Sequence, residues 1–149
     1  MGSGIEIRAF RTSDLPRILE IERAAFPLEA YTRQTFAELY KECRDLFLVA
    51  ERRGCILGYM VTCVQGRKAE LVSIATDPAR QKRGAGTALM THTLAALAER
   101  GARSFELMVR PANTVAARFY RRFGFTRAGK IAHYYDDRGD AIRMTRDLK

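Results

Sequence analysis

The sequence predicts one mixed α+β domain spanning residues 1–149: a mixed, mostly antiparallel seven-stranded sheet with one parallel pair, carrying four helices. Three observations carry that expectation. The apolar period switches in the order strand, two helices, three strands, helix, strand, helix, two strands. Short turns between the central strands allow only antiparallel neighbours there, whereas the helix that begins near Thr87 crosses between two strands and demands that they be parallel. A chain of 149 residues suits one core and is short for two.

Ile5-Glu6-Ile7-Arg8 alternates with period two and reads as an outer strand. Ser13 or Thr12 caps a helix whose buried stripe is Leu15, Ile18, Leu19 and Ala25, and Pro27 ends it. After the loop Leu28 to Tyr31, Thr32 caps a second helix with Phe36, Leu39, Tyr40 and Cys43 at helical spacing. Leu46 to Glu51, Cys55 to Gln65 and Glu70 to Thr76 form a meander turned at Arg52-Arg53-Gly54 and Gly66-Arg67-Lys68. Thr87 to Arg100 is a helix with Leu89, Met90, Leu94 and Leu97 on its apolar face and Gly101 as its stop. Ser104 to Arg110 returns as a strand closed by Pro111, and Asn113 to Phe123 is the last helix, stopped by Gly124. Arg127 to Tyr135 and Ala141 to Asp147 pair around the turn at 136–140.

Composition narrows the function classes. No apolar run approaches the twenty residues of a membrane span, and nothing at the start resembles a secretory leader, so a cytoplasmic protein without membrane contact is expected. Cys43, Cys55 and Cys63 lack the spacing of a zinc or redox site and read as buried reduced thiols; no metal is expected. The formal charge of +9 asks for an anionic partner. The basic residues are spread along the chain without an aromatic-basic cluster, so direct nucleic-acid binding is not expected.

Gln81-Lys82-Arg83-Gly84-Ala85-Gly86 lies between a strand and a helix. There, unpaired amides and the helix dipole converge on one point that favours an anion, and the two glycines let the backbone approach it. The stretch lacks the Gly-Lys-Ser/Thr ending of a P-loop, and Leu89 stands where a dinucleotide fingerprint has its third glycine. It resembles motif A of the GCN5-related N-acetyltransferases, Gln/Arg-x-x-Gly-x-Gly/Ala. Val109-Arg110-Pro111-Ala112-Asn113, Ala117 to Phe125 with its Tyr120 and Gly124-Phe125, and His133-Tyr134-Tyr135 followed by Gly139-Asp140-Ala141 resemble segments of the RimI-like and Ard1-like N-terminal acetyltransferases in the same order.

That resemblance implies acetyl-coenzyme A as cosubstrate. Its pyrophosphate would lie on Gln81, Lys82, Arg83, Gly84, Ala85, Gly86 and Thr87, its pantetheine arm on Asn113, and its acetyl carbonyl at the amides around Ile74 and Ala75. Tyr120 matches the tyrosine that protonates the departing sulfur, and Tyr134-Tyr135 the hairpin that holds the acceptor's backbone. Arg118 and Arg122 could reach phosphates or simply face solvent. RimI-like enzymes carry a glutamate just before Val-Arg, where this chain has Met108, and a thioether accepts no proton. Three carboxylates could replace it: Glu70, at the position of the basic glutamate of histone-type relatives; Glu29, which with Tyr31 lies in the loop that Ard1-like members use near the substrate; and Glu106, which reads as a rim ion-pair residue. His92 and His133 are weaker candidates.

Chemistry bears on the acceptor. An α-amine of pKa near 8 is about a fifth unprotonated at physiological pH and a lysine about a thousandth, a difference of roughly 3 kcal/mol, so a weak base suits an N-terminus. The expected acceptor is a protein or peptide N-terminus, for which the resemblance suggests ribosomal protein S18 and ribosome association. A small amine or lysine side chain is the second reading, and a coenzyme-A-binding module without catalysis the third. A monomer or weak dimer is expected.

Overall fold

The computed structural model describes residues 4–80 and 84–148. Its sheet has seven strands in the order β1-β2-β3-β4-β5-β7-β6, where β1 is Glu6–Ala9, β2 Phe47–Arg52, β3 Cys55–Gln65, β4 Lys68–Thr76, β5 Ser104–Val109, β6 Thr126–Ile131 and β7 Ala141–Asp147. Four helices accompany it: α1 Leu15–Ala25, α2 Arg33–Glu42, α3 Ala85–Glu99 and α4 Thr114–Arg122. β4 and β5 are the parallel pair, in register from Lys68↔Ser104 to Glu70↔Glu106, and the α3 crossover between them is the one the sequence required. Contacts divide the chain into two compact units, Met1–Cys63 with Val72–Ala96, and Val64–Leu71 with Leu97–Lys149.

The first unit is built on an aromatic cluster. Phe36 from α2 and Tyr59 from β3 meet edge to face at 5.5 Å, and Phe10 stacks on Phe47 at 4.1 Å. Ile18 and Ile21 of α1 complete this core; geometry of this kind adds about 0.5–1.5 kcal/mol per aromatic pair beyond simple burial. Thr32 caps α2 as expected, its hydroxyl accepting from the Thr35 amide at 3.2 Å. Within α3, Leu89, Met90 and Leu97 are buried, and so is Thr93, whose hydroxyl reaches the Met60 sulfur at 3.5 Å; Leu94 is only half-buried.

Four details differ from the sequence reading. Thr12–Asp14 forms a short 3-10 turn, and neither Ser13 nor Thr12 caps α1; Asp14 occupies that position. Its carboxylate instead accepts from the Arg11 amide at 2.7 Å and from Arg8 Nη1 and Nη2 at 2.9 Å. A 3-10 turn over Arg44–Leu46 delays β2 to Phe47. β6 stops at Ile131, so Tyr134 and Tyr135 lie in a loop in which His133 has φ +54°. Cys43 and Cys63, expected as unrelated buried thiols, face each other with Cα atoms 4.8 Å apart: folding brings the C-cap of α2 against β3, an approach that twenty residues of sequence separation conceal.

Asp14 yields a stability test. Burial alone would raise its pKa, but the Arg8 bonds, the Arg11 amide and their charges together hold it below the ordinary carboxylate value. Its stabilisation is therefore present above the unfolded pKa and is lost as pH falls through the lower folded value. Asp14→Asn is expected to cost about 2 kcal/mol in urea melts at neutral pH, leaving Arg8 half-paired.

In the second unit, alternation along β5 buries Phe105, Leu107 and Val109. Phe125 packs against Phe105 at 5.3 Å and against Tyr120 of α4 at 5.9 Å.

Candidate active site

The second unit brings Glu70, Glu106 and Tyr134 near one another. The register sets Glu70 beside Glu106 across the parallel pair. Glu106 is committed: Arg143 on β7 donates to it at 3.0 Å. Among the described residues Glu70 has no ion pair, and burial and then the neighbouring Glu106 charge raise its pKa above the usual carboxylate value. Tyr134 lies close enough to feel both: burial, then Glu70 and Glu106, push its phenol up. One carboxylate is ion-paired while the pKa of its neighbour is raised, which is the arrangement a proton acceptor needs. Met108, opposite Arg143 in the β5–β7 register, supplies no such group.

The loop bearing Tyr134 and Tyr135 is held by Arg110, a residue the sequence reading quoted without assigning it a role. Its guanidinium lies 3.9 Å from the centre of the Tyr135 ring and 3.3 Å from Asp137 Oδ1. The Tyr135 amide donates to the Gly139 carbonyl at 3.1 Å, the Gly139 amide to Asp137 at 2.9 Å and the His133 amide to Asp140 at 3.1 Å. A Cβ on Gly139 would sit 2.6 Å from Arg110 Nη1. Because that atom ends a flexible side chain, Gly139→Ala is expected to fold normally but to displace Arg110 from Tyr135. With Tyr135 in the acceptor-holding role that the resemblance implies, the acceptor KM is expected to rise about fivefold, the worth of a cation–π contact of about 1 kcal/mol, with thermal stability nearly unchanged.

Tyr120 is buried in α4, and burial, followed by the nearby Tyr135, pushes its pKa up to about 12. It keeps its proton throughout the neutral range. Asn113 caps α4, its Oδ1 accepting from the Ala116 amide at 3.1 Å. Arg122 lies over the Phe119 ring at 5.7 Å and Arg118 is exposed.

The first unit holds the other group. Ile74 and Ala75 lie on β4 beyond its paired stretch with β5, which ends at Glu70. Gly58 packs against this segment: a Cβ there would lie 2.7 Å from the Ala75 carbonyl oxygen and 3.3 Å from Thr76 Cα. The β2–β3 register jumps from Ala50↔Gly58 to Glu51↔Ile56, making Leu57 the extra residue of a bulge. The Leu57 carbonyl accepts from the Asp77 amide at 2.8 Å, and Arg17 of α1 clamps Asp77 at 2.7 Å. The chain leaving β4 is thus anchored before the glycine turn. Gln81, Lys82 and Arg83 lie outside the described residues. α3 begins two residues earlier than its pattern suggested, so Ala85, Gly86 and Thr87 form its first turn. Among the described residues the first helical bond runs from the Ala88 amide to the Gly84 carbonyl at 2.9 Å, and the amides of Ala85, Gly86 and Thr87 precede it in the chain.

Glu29 is exposed in the turn after α1, its amide donating to the Phe26 carbonyl at 3.2 Å. Tyr31 meets the Phe36 ring at 5.8 Å, and its amide donates to Glu22 Oε2 at 2.9 Å. Glu22, Tyr59, Ser73 and Gly58 carried no role in the sequence reading. A glycine interrupting an apolar strand was the available signal for Gly58; a glutamate in phase with Ile18 and Ala25 was the signal for Glu22.

Residues 15–125 match the acetyltransferase (GNAT) family. The chain belongs to that family. This GNAT enzyme is 32% identical over 160 aligned residues to an N-alpha-acetyltransferase of Sulfurisphaera tokodaii, covering 99% of this chain and 95% of the relative. It is 36% identical over 143 residues to the ribosomal protein bS18-alanine N-acetyltransferase of Escherichia coli, covering 93% and 94% of the two chains. The structure of Ard1 from Thermoplasma volcanium superimposes with a TM-score of 0.92 at 30% identity, covering 98% and 99% of the two chains. The likeness to RimI-like and Ard1-like enzymes stands. The protein is an N-acetyltransferase, and acetyltransferases of this fold use acetyl-coenzyme A.

Proposed function

We propose that this GNAT enzyme transfers acetyl from acetyl-coenzyme A directly to the α-amine of a protein N-terminus, with Glu70 as the base. The observation that carries the reading is the Glu70–Glu106–Arg143 arrangement beside Tyr134, which supplies one basic carboxylate in a chain that has Met108 at the expected glutamate's position. An incoming ammonium group is attracted to Glu70 and loses one proton there, directly or through one water; the freed lone pair attacks the thioester carbonyl, the C–S bond breaks to release coenzyme A as its thiolate, and the second proton on nitrogen passes to that thiolate or to water. A raised carboxylate pKa narrows the gap to an α-amine near 8, and the gap to a lysine stays about two units wider.

The remaining roles follow from each group's chemistry. Amides at Ile74 and Ala75 polarise the acetyl carbonyl as charge develops on its oxygen. The amides of Ala85, Gly86 and Thr87 bind the pyrophosphate, together with Gln81, Lys82, Arg83 and Gly84. The Asn113 cap uses Oδ1, and its side-chain N–H groups are suited to the pantetheine arm. Tyr120, with a pKa near 12, is a better hydrogen-bond donor to the departing thiolate than an outright acid, because a thiol near 8.5 holds its proton less tightly. Glu29, Tyr31, Tyr134 and Tyr135 contact the acceptor's first residues. Likeness to the Escherichia coli enzyme supports an alanine-initiated ribosomal protein as acceptor, and hence action in the cytoplasm, where glutathione favours the thiol form of Cys43 and Cys63.

The test is mass spectrometry of a peptide library, with free and blocked N-termini, after incubation with acetyl-coenzyme A. Acetylation confined to free α-amines supports the reading. Modification that persists on blocked peptides transfers it to lysine side chains.

A further inference from the structure

Glu22 is a charged residue in the interior, 1% exposed on the inner side of α1. Its two oxygens are committed in different directions. Oε2 accepts from the Tyr31 amide at 2.9 Å, and Oε1 accepts from the Tyr59 hydroxyl. A phenol has one proton, so where Tyr59 meets Ser73 at 2.8 Å the serine donates and the Tyr59 oxygen accepts. A single hydrogen-bond chain thus runs from Ser73 on β4 through Tyr59 on β3 and Glu22 on α1 to the backbone at the end of the α1–α2 loop. Every member lies in the first unit.

Leu28 at the tip of that loop is almost fully exposed, and Glu29 is exposed beside it. Tyr31 is fastened by its ring against Phe36 and by its amide on Glu22. An apolar residue at position 22 would fill the same space with no desolvation cost, so a buried carboxylate is an expensive choice unless its two-ended bonding matters. Burial raises the Glu22 pKa, while the Tyr59 and Tyr31 bonds oppose that rise.

We propose that Glu22 is a positioning residue for acceptor recognition: its carboxylate ties the Tyr31 backbone to β3 and β4, and so sets where Glu29 and Tyr31 are presented. The inference rests on the proposed role of that loop in holding the acceptor N-terminus. Tyr59 and Ser73 act through Glu22 and touch no substrate. None of Glu22, Tyr59 and Ser73 is assigned to the cosubstrate, so acetyl-coenzyme A affinity is expected to be independent of the tie.

Hydrogen exchange tests the tie without any substrate, and steady-state kinetics on the full chain test its consequence. In Glu22→Ala, the Tyr31 amide exchanges about tenfold faster or more while amides in the middle of α2 keep their protection, the loss of one charge-assisted bond. The acceptor KM rises about tenfold with kcat within about threefold, and acetyl-coenzyme A affinity stays within about twofold. Glu22→Gln keeps a side-chain carbonyl for the Tyr31 amide and returns the acceptor KM to within about threefold of wild type. Should Glu22→Ala fail to fold, Glu22→Gln and Tyr59→Phe carry the test, the latter cutting the chain between Glu22 and Ser73 with an intermediate rise in KM. Unchanged Tyr31 exchange overturns the proposal, as does a lowered melting temperature with acceptor KM within about twofold of wild type. If the wild-type enzyme acetylates no free N-terminus, the functional reading fails, and the exchange result alone then decides whether Glu22 holds Tyr31.

Discussion

Glu70→Gln is expected to lower kcat/KM for the acceptor peptide by about 10²- to 10³-fold, the usual worth of a positioned general base, while acetyl-coenzyme A binding is unchanged. The substitution preserves shape and removes the charge. It also removes the repulsion from Glu106, which gives the experiment a second reading. A carboxylate whose folded pKa is raised binds more protons folded than unfolded, so its contribution to stability is present below the unfolded pKa and is lost as pH rises through the folded one. Glu70→Gln should therefore be at least as stable as wild type at neutral pH and yet nearly inactive, a combination that misfolding cannot produce. Activity has the opposite sign. The base works ionised, so wild-type activity carries an acidic limb at a pKa above the ordinary carboxylate range, and Glu70→Gln lacks it. Glu106→Gln should move that limb to lower pH, because it deletes the repelling charge and releases Arg143. Retention of kcat/KM within about threefold in Glu70→Gln would refute the assignment.

Gly58→Ala is the second large effect, and its origin is steric. The new methyl would stand 2.7 Å from the Ala75 carbonyl oxygen, 3.1 Å from Thr76 Cγ2 and 3.3 Å from Thr76 Cα. Two of these three atoms are backbone, and the strand that carries them is anchored at Asp77 by the Leu57 carbonyl and by Arg17. Neither side has an easy way to yield. The expected cost is about 2–3 kcal/mol of stability in urea melts. Activity measured on the fraction that remains folded should also fall by about tenfold or more, since β4 shifts at the amides proposed to receive the acetyl carbonyl. A control, Gly54→Ala, has nothing within 4 Å of the new methyl but a backbone φ of +80°. It should cost about 1 kcal/mol through conformation alone and leave kcat intact. Equal activity losses in the two variants would separate the Gly58 effect from the β4 amides.

How much could be read before folding varied from residue to residue for physical reasons. Thr32 as a cap, the single parallel pair demanded by a helical crossover, and the strand Cys55–Gln65 depend on neighbours within a few residues or on chain direction, and they emerged with nearly the expected bounds. The α1 cap was misread because Thr12–Asp14 winds into a 3-10 turn of its own and leaves Asp14 at the cap position. The last hairpin was drawn too long because His133 adopts a left-handed backbone that an alternating pattern does not reveal.

The amino-acid sequence by itself determined the order of strands and helices, the glycine turn before α3 and the absence of a glutamate at Met108, since period, turn chemistry and residue identity are local properties. Tertiary structure alone decided that Glu106 is paired with Arg143 while Glu70 has no ion pair among the described residues, that Arg110 holds Tyr135, and that Glu22 reaches Tyr31 and Tyr59. Ion pairing, desolvation and close approach depend on distances between residues 9 to 37 positions apart in the chain, and those distances exist only once the sheet has brought the strands together.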